Sequence, residues 1–90
     1  MNNVRRKDIK AVVERIYKMQ EMLEDIKSDL ECIKDEEDEY RDNIPENLQE
    51  SDRYYASEEA SDQLDDAISE IDSALSEIEE AIYSAETAME

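Results

Sequence analysis

Apolar residues return along the first part of the chain at alternating intervals of three and four: Ile9, Val12, Ile16, Met19, Leu23, Ile26, Leu30 and Ile33. This is a heptad repeat with Ile9 at position a and Val12 at d, and it predicts one long helix over about 5–42. The next seam positions are Glu37, Tyr40 and Ile44, so the stripe weakens and then revives. A second series, Leu64, Ile68, Ile71, Leu75, Ile78, Ile82, Ala85 and Met89, predicts a helix over about 53–89. Two matched seams joined by a short connection read as one all-α domain spanning 1–90, an antiparallel two-helix coiled-coil hairpin.

The connection, about 43–52, holds the only proline of the chain. Pro45 pushes Ile44 out of the α region, which ends the first helix near Asp42 or Asn43. Pro45 also suits the first position of a new turn, with Glu46 favourably placed behind it, so a short turn is expected at 45–49. Ser51 or Asp52 can cap the second helix, with Ser57 as a rival. Tyr40, Ile44, Leu48, Tyr54 and Tyr55 are expected to close this end as a small apolar plug.

The columns beside the seams carry orientation. Position e of the first helix holds Lys27, Lys34 and Arg41, and position e of the second holds Asp65, Asp72, Glu79 and Glu86. The two e columns face each other in an antiparallel pair, so base meets acid, which fixes direction more than it adds stability. Arg5, Arg6, Lys7 and Lys10 oppose the dipole of their own helix and are expected beside Glu86 and Glu90 at the far end of the other. Ala60, Ala67, Ala74, Ala81 and Ala88 recur every seven residues at position g. They widen the apolar stripe and allow close approach, and Val13 and Met22 do the same on the first helix. A widened stripe suits a larger bundle, so these alanines are expected to mediate self-association of two hairpins into a four-helix assembly.

Composition narrows the chemistry. The chain has no Gly, no His and no Trp. Without His the usual general base and the Ser–His and Cys–His pairs are missing, and a rod offers no cleft, so the chain reads as a binding protein and not an enzyme. No catalytic residue, metal site or cofactor is expected. The acidic run Asp35–Glu39 lacks the glycine turn of an EF-hand and reads as a solvated face. Cys32 is the single cysteine and cannot pair within the chain, which fits a reducing cytoplasm. No stretch is apolar enough to span a membrane or act as a signal peptide.

The formal net charge is −18, and it is unevenly placed. Residues 1–34 hold eight Lys/Arg against seven Asp/Glu, whereas residues 35–90 hold two against twenty-one, a net of −19. Spread over a rod of about 50 Å this gives one charge per roughly 2.6 Å, against one per about 1.7 Å of duplex DNA. Such a field repels nucleic acid and anionic membrane and favours basic surfaces. Far less charge would keep a small domain in solution, and like charges at helical spacing cost stability, so the excess implies a use. The candidate partner-binding face is Asp65, Asp66, Glu70, Asp72, Glu77, Glu79 and Glu80, with Tyr54 and Tyr55 as aromatic anchors.

The connector Asn43-Ile44-Pro45-Glu46-Asn47-Leu48-Gln49-Glu50-Ser51, followed by an Ala/Glu/Ile-rich heptad helix, resembles that of small acidic helical proteins of bacterial phages and prophages. The resemblance covers about 40–90, and its most specific part is Pro45–Gln49. Most such proteins have no assigned function, and no functional residue carries over. The resemblance implies a setting, the cytoplasm of a bacterial host, and proteins of this setting include anti-CRISPR and other anti-defence inhibitors. The expectation is an inhibitor that occupies the basic groove of a host nucleic-acid-binding protein, with a CRISPR effector nuclease as the expected target. The alternative is a structural coiled-coil module of a phage or bacterial complex. Either way, lowering the pH from 7 toward 4 reduces the repulsion along the rod and should raise helicity in circular dichroism; a loss of helix over that interval contradicts the charge argument.

Overall fold

The computed structural model describes residues 1–90 and contains three elements. Helix α1 spans Asn3–Asp42, a 3-10 turn spans Glu46–Leu48 and helix α2 spans Asp52–Ala88. The two helices pack against each other as an antiparallel hairpin 70 Å long and about 15 × 13 Å across. The fold is the two-helix hairpin that the two seams call for. Neither helix is long and apolar enough to cross a membrane.

Local chemistry accounts for each boundary. Asn2 caps α1 by accepting a hydrogen bond from the Arg5 amide at 2.8 Å. At the other end the Asn43 amide donates to the Glu39 carbonyl at 3.1 Å and the Ile44 amide to the Arg41 carbonyl at 3.0 Å, tightening the last turn. Ile44 then precedes Pro45, leaves the helical path and turns its side chain inward, where it is buried. Ser51 caps α2, its Oγ accepting from the Tyr54 amide at 3.3 Å. The rival cap Ser57 lies inside α2 and is buried. The chain reverses with no residue at positive φ, which explains how it manages without glycine.

The packing face of α2 is the expected one. Leu64, Ile68, Ile71, Leu75, Ile78, Ala85 and Met89 are all half-buried, and Ile82 is buried. The packing face of α1 differs from expectation. Its position-a residues Ile9, Ile16, Leu23 and Leu30 face α2, but the second line of contact is the e column, Val13, Gln20, Lys27, Lys34 and Arg41. The d column that was to complete the seam points outward: Val12, Met19, Ile26 and Ile33 are 49%, 46%, 40% and 50% exposed.

α1 is therefore rolled by roughly 50° from the a/d orientation, at 100° per residue on the helical wheel. The reason lies on α2, where the e column is acidic and the g column is alanine. Rolling toward e brings the cations of α1 within reach of those acids, and the aliphatic stems of Lys and Arg cover the seam in place of branched side chains. The opposite roll would take Lys27, Lys34 and Arg41 away from Asp72, Asp65 and Ser61 and leave them only Glu31 and Asp38 on their own helix.

At the basic start of α1, Arg5, Arg6 and Lys7 depart from expectation. No salt bridge joins Arg5, Arg6, Lys7 or Lys10 to Glu86 or Glu90. The pairs Lys27–Asp72 and Lys34–Asp65 set the register, so that Lys10 comes level with Met89. The first two turns of α1 therefore run past the end of α2. The plug at the connector is smaller than expected: Ile44 is buried and Tyr54 half-buried, whereas Tyr40, Leu48 and Tyr55 are exposed.

The roll separates two isoleucines. Ile82→Ala should cost about 2–4 kcal/mol in urea unfolding, because Ile82 is buried in the seam. Ile26→Ala, measured at a concentration too low for self-association, should cost less than about 1 kcal/mol. Equal losses at the two positions would place Ile26 in the seam and refute the roll.

Candidate functional site

One flank of the hairpin is a ladder of polar contacts between the e columns. Lys27 meets Asp72 at 2.6 Å, and Lys34 reaches Asp65 at 3.8 Å and Asp38 at 2.8 Å. Further along, the Tyr17 hydroxyl donates to Glu86 Oε1 at 3.0 Å. The hydrogen bond to Asp72 raises the Lys27 pKa, and that to Asp38 raises the Lys34 pKa. The Glu86 carboxylate likewise raises the Tyr17 pKa. This is the base-against-acid meeting of e columns that the sequence calls for.

Toward the connector the ladder closes in a polar clasp. Arg41 donates to the Ser57 carbonyl at 3.2 Å, to Ser61 Oγ at 2.9 Å and to Asp38 Oδ1 at 3.0 Å. Ser61 donates in turn to Asp38 at 2.6 Å. The two serines occupy seam positions of α2 where a larger side chain would keep the guanidinium away from the backbone. The Ser57 hydroxyl itself is buried without a hydrogen-bond partner. Its contribution is its small size, which opens the Ser57 carbonyl to Arg41. Around Asp38, the hydrogen bonds from Lys34 first, and then from Ser61 and Arg41, lower the carboxyl pKa to about 2.

All seven carboxylates of the candidate face are exposed. They do not form one uniform stripe. Asp65 and Asp72 are committed to Lys34 and Lys27, whereas Asp66, Glu70, Glu77, Glu79 and Glu80 take part in no salt bridge. Asp66 and Glu80 lie at position f, directly away from the seam, with Glu70 and Glu77 on one side of them and Glu79 on the other. The free acids thus cover the outward half of α2. Glu24 of α1 joins them at a recess of 450 Å³ lined also by Asp72, Ser73, Leu75, Ser76 and Glu79. The sequence signal for Glu24 was its place at position b of α1, next to the e column.

Taken over the whole hairpin, a net charge of −18 along 70 Å is roughly one charge per 4 Å, a little over twice the spacing along duplex DNA.

Tyr54 and Tyr55 meet edge to face, centroids 6.1 Å apart and planes at 84°. Tyr54 is half-buried, and Tyr55 stands half in solvent at the connector end. Nearby, the Arg53 side chain donates to the Tyr40 hydroxyl and its guanidinium lies 5.1 Å from the Tyr40 ring centre. Of the alanines, Ala67 and Ala74 are partly covered by α1, and Ala60, Ala81 and Ala88 are exposed.

The clasp gives a sign to acid sensitivity. A carboxyl held at about 2 stabilises the fold fully above its ordinary value of 3.8, and that contribution is lost as pH falls from there through about 2. Thermal unfolding should show the wild type losing stability between pH 4 and pH 2 by more than Asp38→Asn does; parallel acid curves would show that Asp38 is not held this way. The chain was compared with family models, curated proteins and solved structures, and none of the three comparisons gives a match.

Proposed function

We propose that this chain is a phage-type acidic binding protein that occupies the basic nucleic-acid groove of a host protein and so inhibits it. The observation that supports this most is the group Asp66, Glu70, Glu77, Glu79 and Glu80. All five are exposed, none is neutralised by a salt bridge, and they are carried on one unbroken helix. Fixed carboxylates on a rigid element meet Lys/Arg side chains without first paying the entropy of ordering, and their summed field draws a basic channel from a distance. Asp65 and Asp72 belong to the same face but first serve the hairpin, so their share in binding is smaller. Tyr55, exposed beside the connector, is the better placed of the two anchors.

The phage setting comes from the resemblance of the connector, and within it a CRISPR effector nuclease is the target of choice. Its guide–target channel is lined with cationic side chains and is read by shape and backbone charge. The test is DNA cleavage by a guide-loaded Cas9-type nuclease in the presence of the full chain. Inhibition should weaken by at least about tenfold between 50 and 200 mM salt, as competition for phosphate sites requires. The triple reversal Glu77→Lys, Glu79→Lys, Glu80→Lys should abolish inhibition while circular dichroism stays unchanged. Inhibition that ignores salt, or that survives the reversal, refutes mimicry.

A second reading has its own supporting observation. The outward d column of α1 is apolar and lies away from the free acids of α2, which favours a coiled-coil assembly module that pairs with itself. A module of this kind keeps its function through the triple reversal.

A further inference from the structure

Only three apolar residues, Val13, Ile44 and Ile82, are buried in the hairpin. Outside it lies a row that runs along α1: Val12, Met19, Ile26, Ile33 and Tyr40, each 40% to 50% exposed. Met22, 64% exposed, sits beside the row at position g. With Ala60, Ala81 and Ala88 exposed on the neighbouring flank, the row forms one apolar face along the hairpin. A single hairpin thus leaves more apolar side chains half in water than it buries, an arrangement that a monomer has no reason to keep.

Charge along α1 tells what covers the face. Residues 1–20 hold six Lys/Arg against two Asp/Glu, and residues 21–42 hold three against eleven. α2 does not neutralise the basic half, because the register carries Arg5, Arg6 and Lys7 past its end, and no salt bridge of the hairpin involves them. A helix that is basic in one half, acidic in the other and apolar along one side is complementary to itself when reversed.

We infer that a second copy of this chain docks on the d/g face of α1 with its own α1 antiparallel, about a two-fold axis at Met22. The inference rests on the self-association named in the second reading and adds its direction, residues and register. Across such an axis the d columns meet as Val12 with Ile33 of the second copy and Met19 with Ile26 of the second copy. The g and c columns then set Arg15 against Asp29 and Lys18 against Asp25. No other alignment with the axis at a g position of the apolar stretch pairs both cations with acids and keeps the d residues opposite each other. One like-charged meeting remains, Asp8 with Glu36, and Arg5 and Arg6 lie within a turn of it. The basic overhang of α1 comes to rest on the acidic run Asp35–Glu39 of the second copy. Isologous contact of this kind closes at two chains and cannot propagate. The carboxylates Asp66, Glu79 and Glu80 face away from the interface, so groove binding and dimer formation are compatible.

Sedimentation equilibrium of the full chain tests the self-association. At about 100 µM the mass should be twice 10.5 kDa, falling toward one chain on dilution. Met19→Asp with Ile26→Asp should give a monomer that stays helical, since neither residue faces α2. Arg15→Asp should weaken the dimer about tenfold, and adding Asp29→Arg should restore it, because the swapped charges pair again across the axis. Disulfide trapping in a Cys32→Ser background then tests the register. Met22→Cys should link to itself, whereas Ile33→Cys should not, yet should link when mixed with Val12→Cys. A wild type that stays monomeric at this concentration defeats the self-association reading. A dimer in which Ile33→Cys links readily to itself is parallel, and it defeats the inferred register while leaving self-association standing.

Discussion

The contact that organises this molecule is the meeting of three cations on α1 with the acidic e column and the clasp of α2. Lys27, Lys34 and Arg41 all lie on one side of α1, and their ammonium and guanidinium groups find Asp72, Asp65, Asp38 and Ser61 at bonding distance. Individually such contacts add little to stability in water. Their leverage is geometric. Those that cross to α2 are satisfied in only one direction, one register and one rotation of α1, and in a chain with so small a core that is enough to choose among otherwise similar packings. The roll of α1, the overhang of its basic start and the outward d column all follow from them.

That choice divides the surface by chemistry. One flank of the hairpin carries the ion-pair ladder, the outer half of α2 carries free carboxylates, and the opposite flank is apolar. Ion pairs that hold the fold, free carboxylates and exposed apolar side chains are thereby given separate columns of the heptad. The division also explains why Asp65 and Asp72 differ from Glu77 and Glu80, although the sequence presents them alike. The first two stand in the column that faces lysines, and the latter two do not.

The connector end shows a polar substitute for a core. Where aliphatic side chains would continue the seam, the chain has Glu37, Arg41, Ser57 and Ser61. The serines are small enough for Arg41 to reach a backbone carbonyl and a hydroxyl at once, and Asp38 balances its charge. A clasp of this kind specifies where the helices must stop sliding past each other, which uniform leucine packing does not.

Much of this was legible in the residues alone. The alternating spacings from Ile9 to Ile33 and from Leu64 to Met89 determine two long helices, Pro45 with Ser51 determines where they break and restart, and the opposed e columns determine that the helices run antiparallel. These are local or column-wise properties, fixed by backbone sterics, capping and the sign of charge. The rotation of α1 was not legible, because its columns a, d and e all offered material for a seam, and periodicity ranks d above e on hydrophobicity alone. Only the assembled pair, in which lysine and arginine stems cover the groove while their heads reach Asp72, Asp65 and Ser61 on the other helix, could decide that e turns inward and d outward. The sequence determined the helices and their direction; the side that each one shows to the world was decided by the tertiary contact, since burial depends on what the opposite surface presents.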